Sequence, residues 1–124
     1  MTKFINLVIG GAAGTAARYL LSGFVYRVAG TSFPYGTMAV NVCGCFILGL
    51  LASLSEKKFV LSPDARMLLM IGFCGAFTTF STFIFETDTL LRSGQIMRAS
   101  LNLFASLVFG LILFRAGSYL GEII

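Results

Sequence analysis

Long apolar runs separated by three short polar clusters organise the chain. A hydrocarbon core of about 30 Å needs roughly 20 helical residues. Four segments meet that length, at about 4–28, 34–54, 66–91 and 97–121. Gly30-Thr31-Ser32-Phe33-Pro34 marks the first break, a turn whose proline suits a helix start. Ser55-Glu56-Lys57-Lys58 and Ser62-Pro63-Asp64 bracket the second, with Ser62 or Asp64 as the helix cap. Arg92-Ser93-Gly94-Gln95 forms the third. The pattern predicts an all-α membrane protein, a single four-helix transmembrane domain over residues 1–124.

Composition strengthens that reading. The chain is 57% hydrophobic and 11% charged, with a mean hydropathy of +0.93, where a soluble domain carries about a quarter charged residues. These charges are too few to cover a water-facing surface. There is no histidine, which excludes histidine metal sites and histidine general bases. Nothing offers a base or an activated nucleophile, so no enzyme is expected. The net charge of +4 lies scattered between apolar segments, as charges at helix ends do, and not as a nucleic-acid patch. Cys43, Cys45 and Cys74 fall inside apolar segments and read as small buried hydrophobes. The stretch after Lys3 superficially resembles a signal peptide, but it stays apolar past Arg18 to about Val28 and reads as the first span.

Four spans put both termini on one side. That side carries Lys3, Lys57, Lys58, Arg66 and, if it snorkels outward, Arg115; the other carries Arg27, Arg92 and Arg98. So small a bias under the positive-inside rule permits insertion in both orientations. Four thin helices enclose little volume, so a pathway would need an oligomer. Two oppositely inserted copies would be related by a two-fold axis in the membrane plane, as inverted repeats are within one chain.

Polar and small residues form stripes. Gly10, Gly14, Arg18 and Ser22 recur every four residues on one face of the first span. The Gly10/Gly14 pair permits close helix approach. Arg18, well inside the span, needs a partner or a watered cavity. An ion pair with Glu86, bonds to helix carbonyls, or a positive charge drawing anions into a vestibule would each answer that need. The second span aligns Thr37, Asn41 and Gly44, where Asn41 serves either an interhelical bond or a pore. The fourth span aligns Asn102, Ser106 and Gly110, a polar face that could oppose Asn41, and carries Gly117 and Gly121 for packing.

The densest signal is Gly72-Phe73-Cys74-Gly75-Ala76-Phe77-Thr78-Thr79-Phe80-Ser81-Thr82-Phe83, a knot of glycines, hydroxyls and rings in the third span. Such residues at membrane depth are tolerated where they are buried in protein or line a water-filled path. Phe77, Phe80 and Phe83 are spaced to stack along one face, either as a packing zipper or with ring edges turned into a pore. A ring edge is positive and holds a small anion without trapping it as a lysine would. Gly72, Gly75 and the threonine pair also weaken the helix. A break there would free carbonyls for a monovalent cation.

This knot, together with Gly11-Ala12-Ala13-Gly14-Thr15-Ala16-Ala17-Arg18-Tyr19 and Gly36-Thr37-Met38-Ala39-Val40-Asn41, resembles the signature segments of the Fluc (CrcB) fluoride channels. The resemblance runs over the length, the span count and all four helices. It implies an antiparallel, dual-topology homodimer in the plasma membrane of a microbial cell, exporting fluoride passively through two parallel pores. It also implies a broken third helix. Carried onto this chain, it makes Phe80 and Phe83 the paired pore phenylalanines, Asn41 the pore asparagine and Arg18 the vestibule arginine. Ser81 and Thr82 become a hydroxyl track, and the backbone carbonyls of Gly75 and Thr78 a central Na⁺ site. Some members carry a tyrosine on the polar face of the fourth span, where this chain has Asn102, Ser106 and Gly110 to offer the pore. The competing class is a proton-coupled exporter of the small multidrug-resistance kind. That class needs a membrane-embedded carboxylate, and Glu86, toward the end of the third span, is the acid that could serve.

Overall fold

A computed structural model describes all residues, 1–124, and every regular element in it is helical. Four helical spans are long and apolar enough to cross a membrane: Thr2–Ala29, Tyr35–Glu56, Pro63–Arg92 and Ile96–Ile123. The first is α1 (Thr2–Ala29) and the second α2 (Tyr35–Glu56). The third is composite: α3 (Pro63–Arg66), a π-helical stretch (Met67–Cys74), α4 (Gly75–Phe77) and, past a break, α5 (Phe80–Arg92). The fourth is α6 (Ile96–Ile123).

The ends follow from local chemistry. Gly30, at φ 88°, stops α1 in a conformation that side chains disfavour, and Pro34 opens α2. At the carbonyl end of α2 the Arg66 guanidinium donates to the Ser55 carbonyl at 3.0 Å, a cation where the helix dipole favours one. Ser62, and not Asp64, caps the third span: its hydroxyl accepts the Ala65 N–H at 3.2 Å, with Pro63 in the first turn. After α5, Gly94 (φ 77°) lets its own N–H reach Leu91 O at 3.0 Å and that of Gln95 reach Leu90 O at 2.9 Å, a Schellman stop.

The interior is made of backbone more than of large side chains. Only 21 of 124 residues are buried, because most apolar surface faces outward toward lipid. A Cβ on Gly10 would lie 2.0 Å from the Leu68 carbonyl oxygen, and one on Gly14 2.3 Å from that of Phe73. The Gly10/Gly14 pair therefore does the packing expected of it, against the π-helical stretch. Along α2 and α6, Gly49 meets the Phe114 carbonyl and Gly117 that of Phe46, each at 2.1 Å for a hypothetical Cβ. Helices α1 and α2 thus each hold a partner from the second half of the chain, and α5 leaves the break to lean on α6.

Two expectations change here. Of the cysteines, Cys74 is buried and Cys45 partly so, but Cys43 is exposed, on an outward face of α2. Of the residues expected to weaken the third span, Gly72 and Gly75 stay helical and the break falls on the threonine pair alone.

Candidate functional site

Thr78 (φ −88°, ψ 156°) and Thr79 (φ −148°, ψ 118°) are both extended, so the third span stops and restarts within two residues. The orphaned groups find partners in side chains. Asn41 receives the Thr79 N–H on Oδ1 at 2.7 Å and donates from Nδ2 to the Thr79 carbonyl at 3.0 Å. The Thr78 hydroxyl donates back to the Cys74 carbonyl at 2.8 Å, beside the Thr78 N–H that already reaches it at 3.1 Å. The Thr79 hydroxyl accepts the Thr82 N–H at 3.3 Å and so caps α5.

The break divides the phenylalanines. Phe77 is buried and stacks on Phe73 at 5.5 Å between centroids, so the three-ring ladder does not form. Phe80 and Phe83 remain a pair, 6.0 Å apart and tilted by 45°. Phe80 is 75% exposed on the single chain. Gly75, Ser81 and Thr82 are exposed beside it, while Thr78, Thr79 and Phe83 are half-buried.

Two cavities flank the break, and Thr79 borders both. One, of about 220 Å³, is lined by Asn41, Gly44, Thr78, Thr79 and Phe80 among others. The other, of about 280 Å³, brings Arg18 together with Thr15, Thr79, Thr82, Tyr26 and Glu86. Arg18 makes no ion pair: the two salt bridges in the chain are Lys57–Glu122 and Arg92–Asp88. Glu86 is occupied otherwise. Its Oε1 accepts hydrogen bonds from the Thr37 hydroxyl at 2.8 Å and the Tyr26 hydroxyl at 3.1 Å, and its Oε2 is shielded without a partner. The guanidinium is left facing the cavity, without the ion pair to Glu86.

The fourth-span residues sit apart from this group. Asn102 is 1% exposed and donates to the Thr87 hydroxyl at 2.9 Å; that hydroxyl donates to the Phe83 carbonyl at 2.7 Å. Ser106 reaches Asn102 Oδ1 at 3.5 Å. Asn102 and Ser106 therefore back α5 behind Phe83, and Gly110 lies beside Cys45 rather than Asn41. Tyr26, Thr37 and Glu86 form a polar cluster that the stripe reading leaves incomplete. Tyr26 was within reach of it, since Gly10, Gly14, Arg18 and Ser22 continue at the same spacing to Tyr26. Thr87 had no such signal.

Comparison with known proteins agrees with the motif resemblance. The family described as CrcB-like protein, Camphor Resistance (CrcB), matches residues 5–118. The chain is 44% identical over 124 residues to a "Fluoride-specific ion channel FluC" of Maridesulfovibrio salexigens, covering 100% of this chain and 98% of the relative. It is 47% identical over 112 residues to the protein of that name from Geobacter sulfurreducens, at 90% coverage of each. It is 46% identical over 124 residues to that of Solidesulfovibrio magneticus, covering 100% and 99%.

Proposed function

The chain belongs to the CrcB family, and on that premise we propose that it is a fluoride-specific ion channel. It is a multi-pass protein of the microbial plasma membrane, letting cytoplasmic fluoride leave down its gradient. One observation carries the site: Phe80, paired with the half-buried Phe83, stands open on the single chain with Ser81 and Thr82, beside a broken backbone midway along a membrane-length span. Lipid offers the hydroxyls no partner, so protein or water must cover them.

A second copy inserted the opposite way supplies that cover in our reading, and the antiparallel homodimer encloses the pores. Arg18, unpaired on its cavity, concentrates the anion electrostatically. Fluoride is small and strongly hydrated, so donors must replace its water. The Asn41 amide, the Ser81 and Thr82 hydroxyls and the positive edges of Phe80 and Phe83 are those donors. Asn102 and Ser106 act from behind, through Thr87 and the Phe83 carbonyl. Because export is downhill, no coupling step is required.

The local chemistry also fits a Na⁺ ion. Thr79 gives its N–H to Asn41, where an unbroken helix would direct it to the Gly75 carbonyl, and Thr78 turns extended, so both carbonyls are released from the helix. Gly75 and Thr78 would hold the ion through these hard, neutral oxygens, and the ion would supply a fixed positive charge joining two copies. Added lysines in one loop should force a single orientation and impair assembly; unimpaired assembly would remove the antiparallel geometry.

Efflux from liposomes, followed with a fluoride electrode and with valinomycin to relieve charge, tests the channel itself. Rapid fluoride loss with little chloride loss is expected. No efflux from folded, reconstituted protein would overturn the reading.

A further inference from the structure

We infer that Asn41 is the peg on which the third span is broken, a positioning residue that sets the Gly75 and Thr78 carbonyls as well as facing the anion path. The inference deepens the channel reading and rests on it. A primary amide has one acceptor oxygen and two donor hydrogens. Here the oxygen takes the Thr79 N–H at 2.7 Å, and one hydrogen goes to the Thr79 carbonyl at 3.0 Å. Both backbone groups of one residue are thus satisfied by one side chain, much as a neighbouring strand would satisfy them. Without such a partner the backbone groups of Thr79 would favour closing the helix over the threonine pair.

The peg is mounted on a stiff part of the molecule. Val40 beside it is 0% exposed, and Thr37 and Gly44, one turn away on either side, are buried. Gly44 helps set the reach: a Cβ there would lie 2.1 Å from Thr78 Cγ2, so a larger residue would have to push the Thr78 side chain aside or hold α2 back. The second amide hydrogen is not used by Thr79, and Asn41 lines the cavity shared with Thr78 and Phe80. One residue therefore serves both sides of the break. A change at Asn41 should disturb cation retention, and not anion flow alone.

Amide hydrogen exchange on the reconstituted protein tests this directly. In the unmodified chain the Thr79 amide should exchange far more slowly than those of Lys58 and Phe59 in the loop. Asn41→Leu keeps the size and loses both bonds. It should speed exchange across 76–80 by about tenfold or more, the scale of one lost buried hydrogen bond. It should also raise the Na⁺ concentration for half-maximal thermal stabilisation by a similar factor. Asn41→Asp keeps the acceptor and should retain part of the Thr79 protection. Phe80→Ile is the reference: flux falls while exchange and Na⁺ dependence stay as they were.

A Thr79 amide as fast as the loop in the unmodified chain would overturn the peg without any variant. So would an Asn41→Leu protein that loses flux but keeps both other readings. If the unmodified protein ignores Na⁺, the cation reading fails and exchange alone decides the peg. If it passes no fluoride, the channel reading fails while the exchange contrast still stands or falls separately.

Discussion

The seam between α2 and α6 and the break in the third span solve one problem in opposite ways. Both bring backbone against its surroundings without a large side chain between. At the seam, Gly49 and Gly117 set helix against helix, with each carbonyl already satisfied within its own helix. At the break the helix bonds of Thr79 are gone, and Asn41 takes both of its backbone groups while the Thr79 hydroxyl takes the Thr82 N–H. The seam is glycine-lined and tolerates nothing larger; the break is polar and partly open. A helix can come apart at membrane depth here because its neighbours are locked.

Substitutions can break that contrast, beginning at the seam. Gly117→Val would drive its Cβ into the Phe46 carbonyl. Overpacking of this kind costs about 1–3 kcal/mol, and more where backbone is struck. Purification should therefore yield aggregate instead of folded protein; a normal elution profile would mean the seam is loose. Phe80→Ile should leave assembly intact and cut fluoride flux by about a hundredfold, equivalent to about 2.7 kcal/mol. Unchanged flux would remove the ring-edge mechanism.

Gly75→Ala sharpens the comparison, since nothing lies within 4 Å of a Cβ there on the single chain. The fold should hold, while self-association in detergent weakens by about tenfold, or 1.4 kcal/mol, if a second copy covers that face. Association unaltered by the methyl would place the interface elsewhere. Glu86→Gln is the mildest. Glutamine keeps an oxygen for Tyr26 and Thr37, so efflux should stay within about a factor of three, under ~1 kcal/mol. Lost transport with intact assembly would revive proton coupling.

Much of this was legible from residue order, and the exceptions share a cause. Gly30, Ser62-Pro63 and Gly94 act locally, and the chain turns at each of them. The Gly10/Gly14 stripe also worked, because helical spacing alone puts both on one face. The site of the break did not follow from propensity. Gly72 and Gly75 are the weaker helix formers, yet the helix gives way at Thr78 and Thr79, where a side chain 38 residues away supplies the bonds. The same break sent Phe77 away from Phe80. Arg18 and Glu86 looked like partners by charge, but two hydroxyls reached the carboxylate first. Cys43 was misread because burial in a membrane chain depends on which face meets a neighbour, and spacing does not name the neighbour.

The π-helical stretch between Met67 and Cys74 carries a consequence for inheritance. Each π turn closes over one residue more than an α turn. The wider turns absorb an extra residue: were the same residues to close as α-helix, everything beyond would swing by about 100° for each residue absorbed. Thr79 would rotate off Asn41 and Phe80 off its face, with no residue of the knot altered. The stretch is therefore a phasing element for the opening that follows it: a one-codon deletion within 67–71, which lets the turn close as α-helix at nearly the same phase, should be tolerated better than a one-codon insertion there.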